Sequence, residues 1–375
     1  MSVNVPSGFA DRPIGMQDSY PGFAKRRRVI ENRLVDFFDD SGYELVSSGA
    51  FEFVDTLLRA RPLEAAREWV QLFDGTGNTI ALRPEMTPSI ARMAAPLVTA
   101  SKLPIRWCYA ERVYRRTNDP ASLSWASGKA AESTQVGVEW IGVGGTQADA
   151  EVLSLCHRAT QALGLADTQT VVSHAMLVPA LLEAVGVPAE LVSNCLDCLT
   201  RGDYVAFHAA LPDDVPNVLG VLQSITPYQP ESLQEELLGA RWQSEDARFE
   251  MMNAWSSLVE LAETVTNMDL QEHVTFDLTL HRDITYYTGL VFEVFAPGVG
   301  APIALGGRYD DLLAQFGSAA PAVGMAFEIE RVLAVLNPPT GHTTASIPGA
   351  ATADGSEGSQ NEPAGKGFAG GGLSC

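Results

Sequence analysis

Two carboxylates and two arginines stand where an amino acid could be held by both of its charges. Glu85 follows Pro84, whose ring fixes the local backbone, and Thr87 sits two residues on. If that stretch is extended, a carboxylate and a hydroxyl face one pocket and suit an ammonium group. Gln135 and Glu139 are four apart in a strand-like run and so share a sheet face. Arg115 belongs to the segment paired with that strand, and Arg282 opens the run RDITYYTGLVFEVF at residues 282–295. Two guanidiniums so placed can grip a carboxylate or a phosphate bidentately.

Taken singly, each group has a plainer role. Glu85 can serve as a turn or cap carboxylate, and Gln135 with Glu139 as a polar sheet face. Arg115, Arg282 and Arg331 can form structural ion pairs, while Tyr286 and Tyr287 can simply pack. Gly306 and Gly307 read as a tight turn at a strand end, since no phosphate-loop motif of the GxxxxGK[ST] type occurs. Their joint appearance in this order is what favours a site.

The elements around them are mixed. Apolar residues at helical spacing over residues 23–38 predict a helix that Ser41-Gly42 stops. A short strand is expected at 43–46, a glycine-turned hairpin at 73–82, and a strand pair at 105–114 and 134–142. A Ser/Ala/Asn-rich loop over about 117–132 joins that pair, long enough to cover a ligand. A helix is expected from Asp149 to Leu163, and a mostly helical insertion over about 171–268. Strand signals return at 275–280, 290–295 and 301–305, and a final apolar helix is expected over 324–336. Strands on both sides of a helical stretch imply an α+β fold, a mostly antiparallel mixed sheet flanked by helices. The core spans 1–336, and the Gly/Ala/Ser-rich segment 337–375 reads as a disordered tail.

Composition narrows the partners. With 46 acidic and 25 basic side chains the formal charge is -21, which repels phosphate backbones and argues against tRNA or other nucleic acid. The basic run at 25–28 reads as a solvated helix face. Five cysteines, an odd number, point to a reducing, cytoplasmic setting. Cys195 and Cys198 form a lone CxxC in helical text and read as two helix-borne thiols, with no metal and no cofactor expected. No segment approaches the ~20 apolar residues of a membrane span.

This ordered set resembles the catalytic core of class II aminoacyl-tRNA synthetases, the histidyl type in particular, over roughly residues 8–336. Tyr114-Arg115 is similar to the second class motif. Residues 324–331 are similar to the third, whose arginine, here Arg331, contacts ATP in the family. The resemblance implies a histidine pocket of Glu85, Thr87, Arg115, Gln135, Glu139, Arg282, Tyr286 and Tyr287, and a former ATP site at Arg115 and Arg331. The departures are as telling. Thr117 stands in place of an ATP-seating glutamate, and Met86 and Glu328 in place of glycines. Asp283 and Thr285 replace a glycine and an aspartate, Gly49 replaces the proline of the first motif, and no anticodon-binding domain is expected after 336.

The altered pattern is similar to the ATP phosphoribosyltransferase regulatory subunits, a synthetase-like family of bacterial histidine biosynthesis. That likeness implies a chain with no activity of its own that dimerises and joins a short catalytic subunit in a hetero-octamer. There it enables the first step of the pathway and confers feedback inhibition by L-histidine. The alternative is a truncated histidyl-tRNA synthetase-like enzyme that still activates histidine with ATP.

Overall fold

The computed structural model describes residues 13–117, 130–212, 215, 217–237 and 242–336. The expected tail and most of the expected 117–132 loop lie outside them.

Eight strands form the main sheet: β1 (Glu44–Leu45), β5 (Ile105–Tyr114), β6 (Glu132–Ile141), β7 (Gln169–His174), β8 (Val274–Phe276), β9 (Leu290–Phe295), β10 (Ala304–Arg308) and β11 (Ala322–Glu328). Their order is β1-β5-β6-β11-β10-β9-β7-β8. Only the edge pairs β1/β5 and β7/β8 run parallel, so the mostly antiparallel mixed sheet is as expected. A smaller antiparallel sheet holds β2 (Phe51–Phe53), β4 (Thr79–Leu82) and β3 (Gln71–Phe73) in that order. The β3/β4 pair is the expected hairpin.

The main sheet has two unlike faces because side chains alternate along every strand. On one face Val136, Val138, Val323, Met325, Phe327, Phe292 and Val294 join one apolar core. That core is closed by α1 (Pro21–Asp40), α4 (Thr146–Leu163), α11 (Ile329–Leu336) and, from the helical stretch, α5 (Leu177–Ala184) and α10 (Glu245–Asn267). The other face carries Gln135, Gly137 and Glu139 on β6 and Gly324, Ala326 and Glu328 on β11, residues that are small or polar. It is partly covered by α3 (Thr87–Thr99).

Helix α1 shows how the pattern is used. Ile30, Leu34 and Phe38 recur every fourth residue and are buried, a proline sits in the first turn, and Gly42 at φ +86° ends the run beyond Ser41. Lys25, Arg26 and Arg28 of the basic run are exposed, and Arg27 and Arg28 pair with Glu31. Cys195 and Cys198 lie buried as free thiols on α6 (Ala189–Thr200). Among the described residues no helix is long and apolar enough to cross a membrane, and no group of three or more His, Cys, Asp or Glu is placed to hold a metal.

Several expected boundaries shift. The helix expected over 324–336 begins as β11 and becomes helical only at Ile329. Buried on both faces, β11 reads as an unbroken apolar run, which periodicity cannot tell from a buried helix. β7 overlaps the start of the stretch expected to be helical. The strand at 275–280 is only β8, because Asp277 turns back to accept hydrogen bonds from the backbone N–H and hydroxyl of Thr279. Gly306 and Gly307 do not turn the chain at a strand end. They sit within β10, where added Cβ atoms would meet the Phe292 and Tyr287 rings at 2.7 Å.

Phe38 is fully buried between helix and sheet, with its ring 6.5 Å from that of Phe327. Phe38→Ala is expected to destabilise the fold by about 3–5 kcal/mol, read as a lower midpoint in urea unfolding.

Candidate functional site

The stretch after β4 turns the chain onto the polar face of the sheet. Arg83 is buried as a structural residue, donating to Ser48 O, Gly49 O and Arg112 O and pairing with Glu111 at 2.6 Å. That anchor delivers Glu85 to the rim of a cavity of about 280 Å³. Thr87 does not continue an extended strand beside Glu85. It opens α3, aided by Pro88 in the first turn, and donates through Oγ1 to Glu139 at 2.9 Å.

Four of the residues assigned to histidine by resemblance, Glu85, Arg115, Gln135 and Arg282, line the cavity together, and Arg331 joins them. Arg115 lies just past the end of β5, its Nε donating to Pro84 O at 3.1 Å. Arg282 Nη1 stands 2.6 Å from Glu293 Oε1, and Arg331 Nη1 donates to Pro302 O at 2.6 Å. Thr87, Glu139 and Tyr286 do not line the cavity but pack beside it. Tyr286 donates to Glu85 Oε2 at 2.6 Å and meets Tyr309 edge-on, and the Tyr309 hydroxyl donates to Glu139 Oε2 at 2.5 Å. Tyr287 lines an adjoining cavity of about 310 Å³ that shares Arg282, Asp283 and Ile284 with the first.

Glu139 is almost fully enclosed, only 1% exposed. Its side chain lies over Gly324, its partner across the β6/β11 register, where a Cβ would fall 1.7 Å from Glu139 Oε2. Burial pushes its carboxyl up to about 7, even though Tyr309, Thr87 and Tyr109 donate to it. Burial, and then the Glu85 and Tyr287 charges, likewise raise the Tyr286 hydroxyl far above its ordinary value, so it acts as a donor.

Sequence reasoning missed several members. Arg61, in the turn after α2 (Val54–Leu58), lies 3.6 Å from Glu85 and donates to Asp283 O at 2.6 Å. Nothing in its neighbourhood marks it, since it reaches the site only through the fold. Tyr309 was legible in principle, because it comes just after β10 and two residues from Gly307 in the text GGRYD, in phase with the strand's polar face. Glu328 is buried on the cavity floor, accepting from Gln135 Nε2 at 2.8 Å.

The charges of the lining cancel. Arg61, Arg115, Arg282 and Arg331 supply four guanidiniums, and Glu68, Glu85, Asp283 and Glu328 supply four carboxylates. A small cavity walled by both signs suits a ligand carrying both, and disfavours one with several charges of one sign.

An eight-stranded mixed sheet with one helix-covered face and a polar face of paired arginines and carboxylates defines a histidyl-tRNA synthetase-like core. The family profile described as histidyl-tRNA synthetase matches residues 15–332. The chain is also 34% identical over 338 residues to the ATP phosphoribosyltransferase regulatory subunit of Moorella thermoacetica, covering 89% of this chain and 83% of that one. Among solved structures it is similar, at 54% identity and a TM-score of 0.81, to a histidine–tRNA ligase subunit from Alicyclobacillus acidocaldarius, covering 88% of this chain and 98% of that one. At 28% identity and a TM-score of 0.73 it is similar to an ATP phosphoribosyltransferase regulatory subunit/histidyl-tRNA synthetase from Bacillus halodurans, covering 88% and 84%. Within the synthetase-like class, the chain belongs to the family of ATP phosphoribosyltransferase regulatory subunits.

Because the carboxyl of Glu139 is raised from 4.5 to about 7 by folding, its contribution is fully present below the lower value and is lost as pH rises through the upper one. The stability of the protein is therefore expected to fall between these limits relative to a Glu139→Gln variant, whose side chain does not titrate. Paired urea titrations across that range give the difference directly.

Proposed function

We propose that this chain is a non-catalytic regulatory subunit of ATP phosphoribosyltransferase, required for the first step of L-histidine biosynthesis and for its feedback control. The observation that carries this reading is the charge-balanced cavity that Glu85, Gln135, Arg115 and Arg282 help to line, in a chain whose relatives bear the regulatory-subunit name. Histidine held there would bias the partner's active and inactive states by its differential affinity for them. The partner is the short catalytic subunit, in a hetero-octamer, with no role for tRNA. We place the protein in the cytoplasm, a reading supported by Cys108, Cys156, Cys195 and Cys198, all buried free thiols.

The alternative, a truncated synthetase-like enzyme that activates histidine with ATP, draws on Arg115 and Arg331 in one cavity and on the ligase description of the Alicyclobacillus structure. Reconstitution separates the two. Added to a short catalytic ATP phosphoribosyltransferase subunit, the chain is expected to raise turnover of ATP and phosphoribosyl pyrophosphate, and histidine to lower it again. No change on either addition contradicts the proposal.

Self-association as a dimer is part of the same reading. The outer face of the small sheet aligns Phe51 and Phe53 of β2 with Leu82 and Ile80 of β4, and Ile80 with Leu72 of β3. Phe51 and Phe53 are each about half exposed, and they follow the segment that resembles the first synthetase motif. A Phe51→Glu/Phe53→Glu variant is expected to sediment as a monomer where the unaltered chain sediments as a dimer.

Replacing Glu85 or Arg282 with alanine removes one partner of a charged contact. Each is expected to weaken histidine binding by about 2 kcal/mol or more in calorimetric titration. Unchanged affinity in both variants would place the effector elsewhere.

A further inference from the structure

Glu328 ends β11 on the floor of the polar cavity, directly across from Gln135 of β6. It is 2% exposed, and it shares the cavity with Arg115, Arg282 and Arg331. Three guanidiniums around one small, partly desolvated space would ordinarily make an anion site, because the arginine fork suits phosphate and carboxylate oxygens. Here one anion already belongs to the chain. Burial alone would raise the Glu328 carboxyl, but the Arg115 and Arg331 charges, with hydrogen bonds from Gln135 and Ser133, outweigh it and hold the group below its ordinary value. The effect is mutual. Burial lowers Arg331, Glu328 opposes that, and Arg115 and Arg282 push it down further.

Building on the amino-acid reading of this cavity, we propose that Glu328 is an internal counter-anion that answers the charge of Arg115 and Arg331 and so selects against polyphosphates. A nucleotide triphosphate or pyrophosphate entering between these arginines would meet a buried carboxylate at short range. Like charges in a poorly solvated space repel strongly, and several phosphate charges multiply the effect. A zwitterion escapes it, since its single carboxylate can use Arg282 while Glu85 remains for its ammonium group. One side chain on the sheet floor would thus separate a cavity for an amino acid from one for a nucleotide.

The test titrates inorganic pyrophosphate calorimetrically into the full chain and into its Glu328→Gln variant, which keeps the acceptor for Gln135 but loses the charge. The unaltered chain is expected to bind pyrophosphate weakly and E328Q at least about tenfold more tightly. The gain should shrink as salt is raised and vanish when Arg331→Ala is added to E328Q. Equal affinity in the unaltered chain and in folded E328Q overturns the inference, and so does tight pyrophosphate binding by the unaltered chain. If E328Q does not fold, Glu328→Ala takes its place. If neither folds, the affinity of the unaltered chain decides: weak binding upholds the inference and tight binding overturns it. Histidine titrated into the same samples distinguishes the two levels of the argument. Absence of histidine binding in the unaltered chain sinks the amino-acid reading together with this one, whereas intact histidine binding with unchanged pyrophosphate affinity sinks only the role of Glu328.

Discussion

A carboxylate in the middle of a β-sheet needs both room and donors, and much of the site depends on how Glu139 obtains them. The room comes from Gly324, which lacks the atom that would collide with it. The donors are hydroxyls from three directions: Thr87 at the start of α3, Tyr309 just beyond β10, and Tyr109 on β5. Satisfying one buried group therefore locks a helix end and two strands to a third strand. Glu85 lies two residues before Thr87, and Tyr286, which donates to Glu85, packs against Tyr309, so the 282–287 segment is tied to the same point.

Beside this packed group the sheet carries arginines that its own carboxylates must answer. Arg282 faces Glu293, Arg61 faces Glu85, and Arg115 and Arg331 act on Glu328. Pairing of this kind adds little net stability, because desolvating both ions offsets most of their attraction. What it sets is the character of the cavity. A space whose walls already balance has nothing to gain from a highly charged ligand and retains local contacts for a small one of mixed charge. The proposed binding of an amino acid relies on that mixed character.

Much of this was legible in the sequence, for physical reasons that vary from place to place. Helix α1 announced itself because one face is buried and the other solvated, so Ile30, Leu34 and Phe38 keep a clean period. Strands β5 and β6 were legible as a pair, and Gln135 and Glu139 were rightly placed on one face, since period two follows from backbone geometry alone. β11 was misread as helix because a central strand buried on both sides has no polar beat. Thr87 was placed beside Glu85 in an extended segment, yet Pro88 at the head of α3 is a helix-start signal and could have corrected it. Arg61 was out of reach, as its role exists only once distant segments meet. Gly306 and Gly307 were misread as a turn at a strand end, because the need for bare backbone inside β10 exists only once the Phe292 and Tyr287 rings pack against it.

The central claim is that the chain binds an amino acid at this cavity without activating it. Histidine-dependent exchange of labelled pyrophosphate into ATP, measured on the purified full chain, tests it most directly. No exchange above the histidine-free background is expected. Robust exchange that requires histidine would show that the cavity still performs adenylate chemistry and would contradict the account.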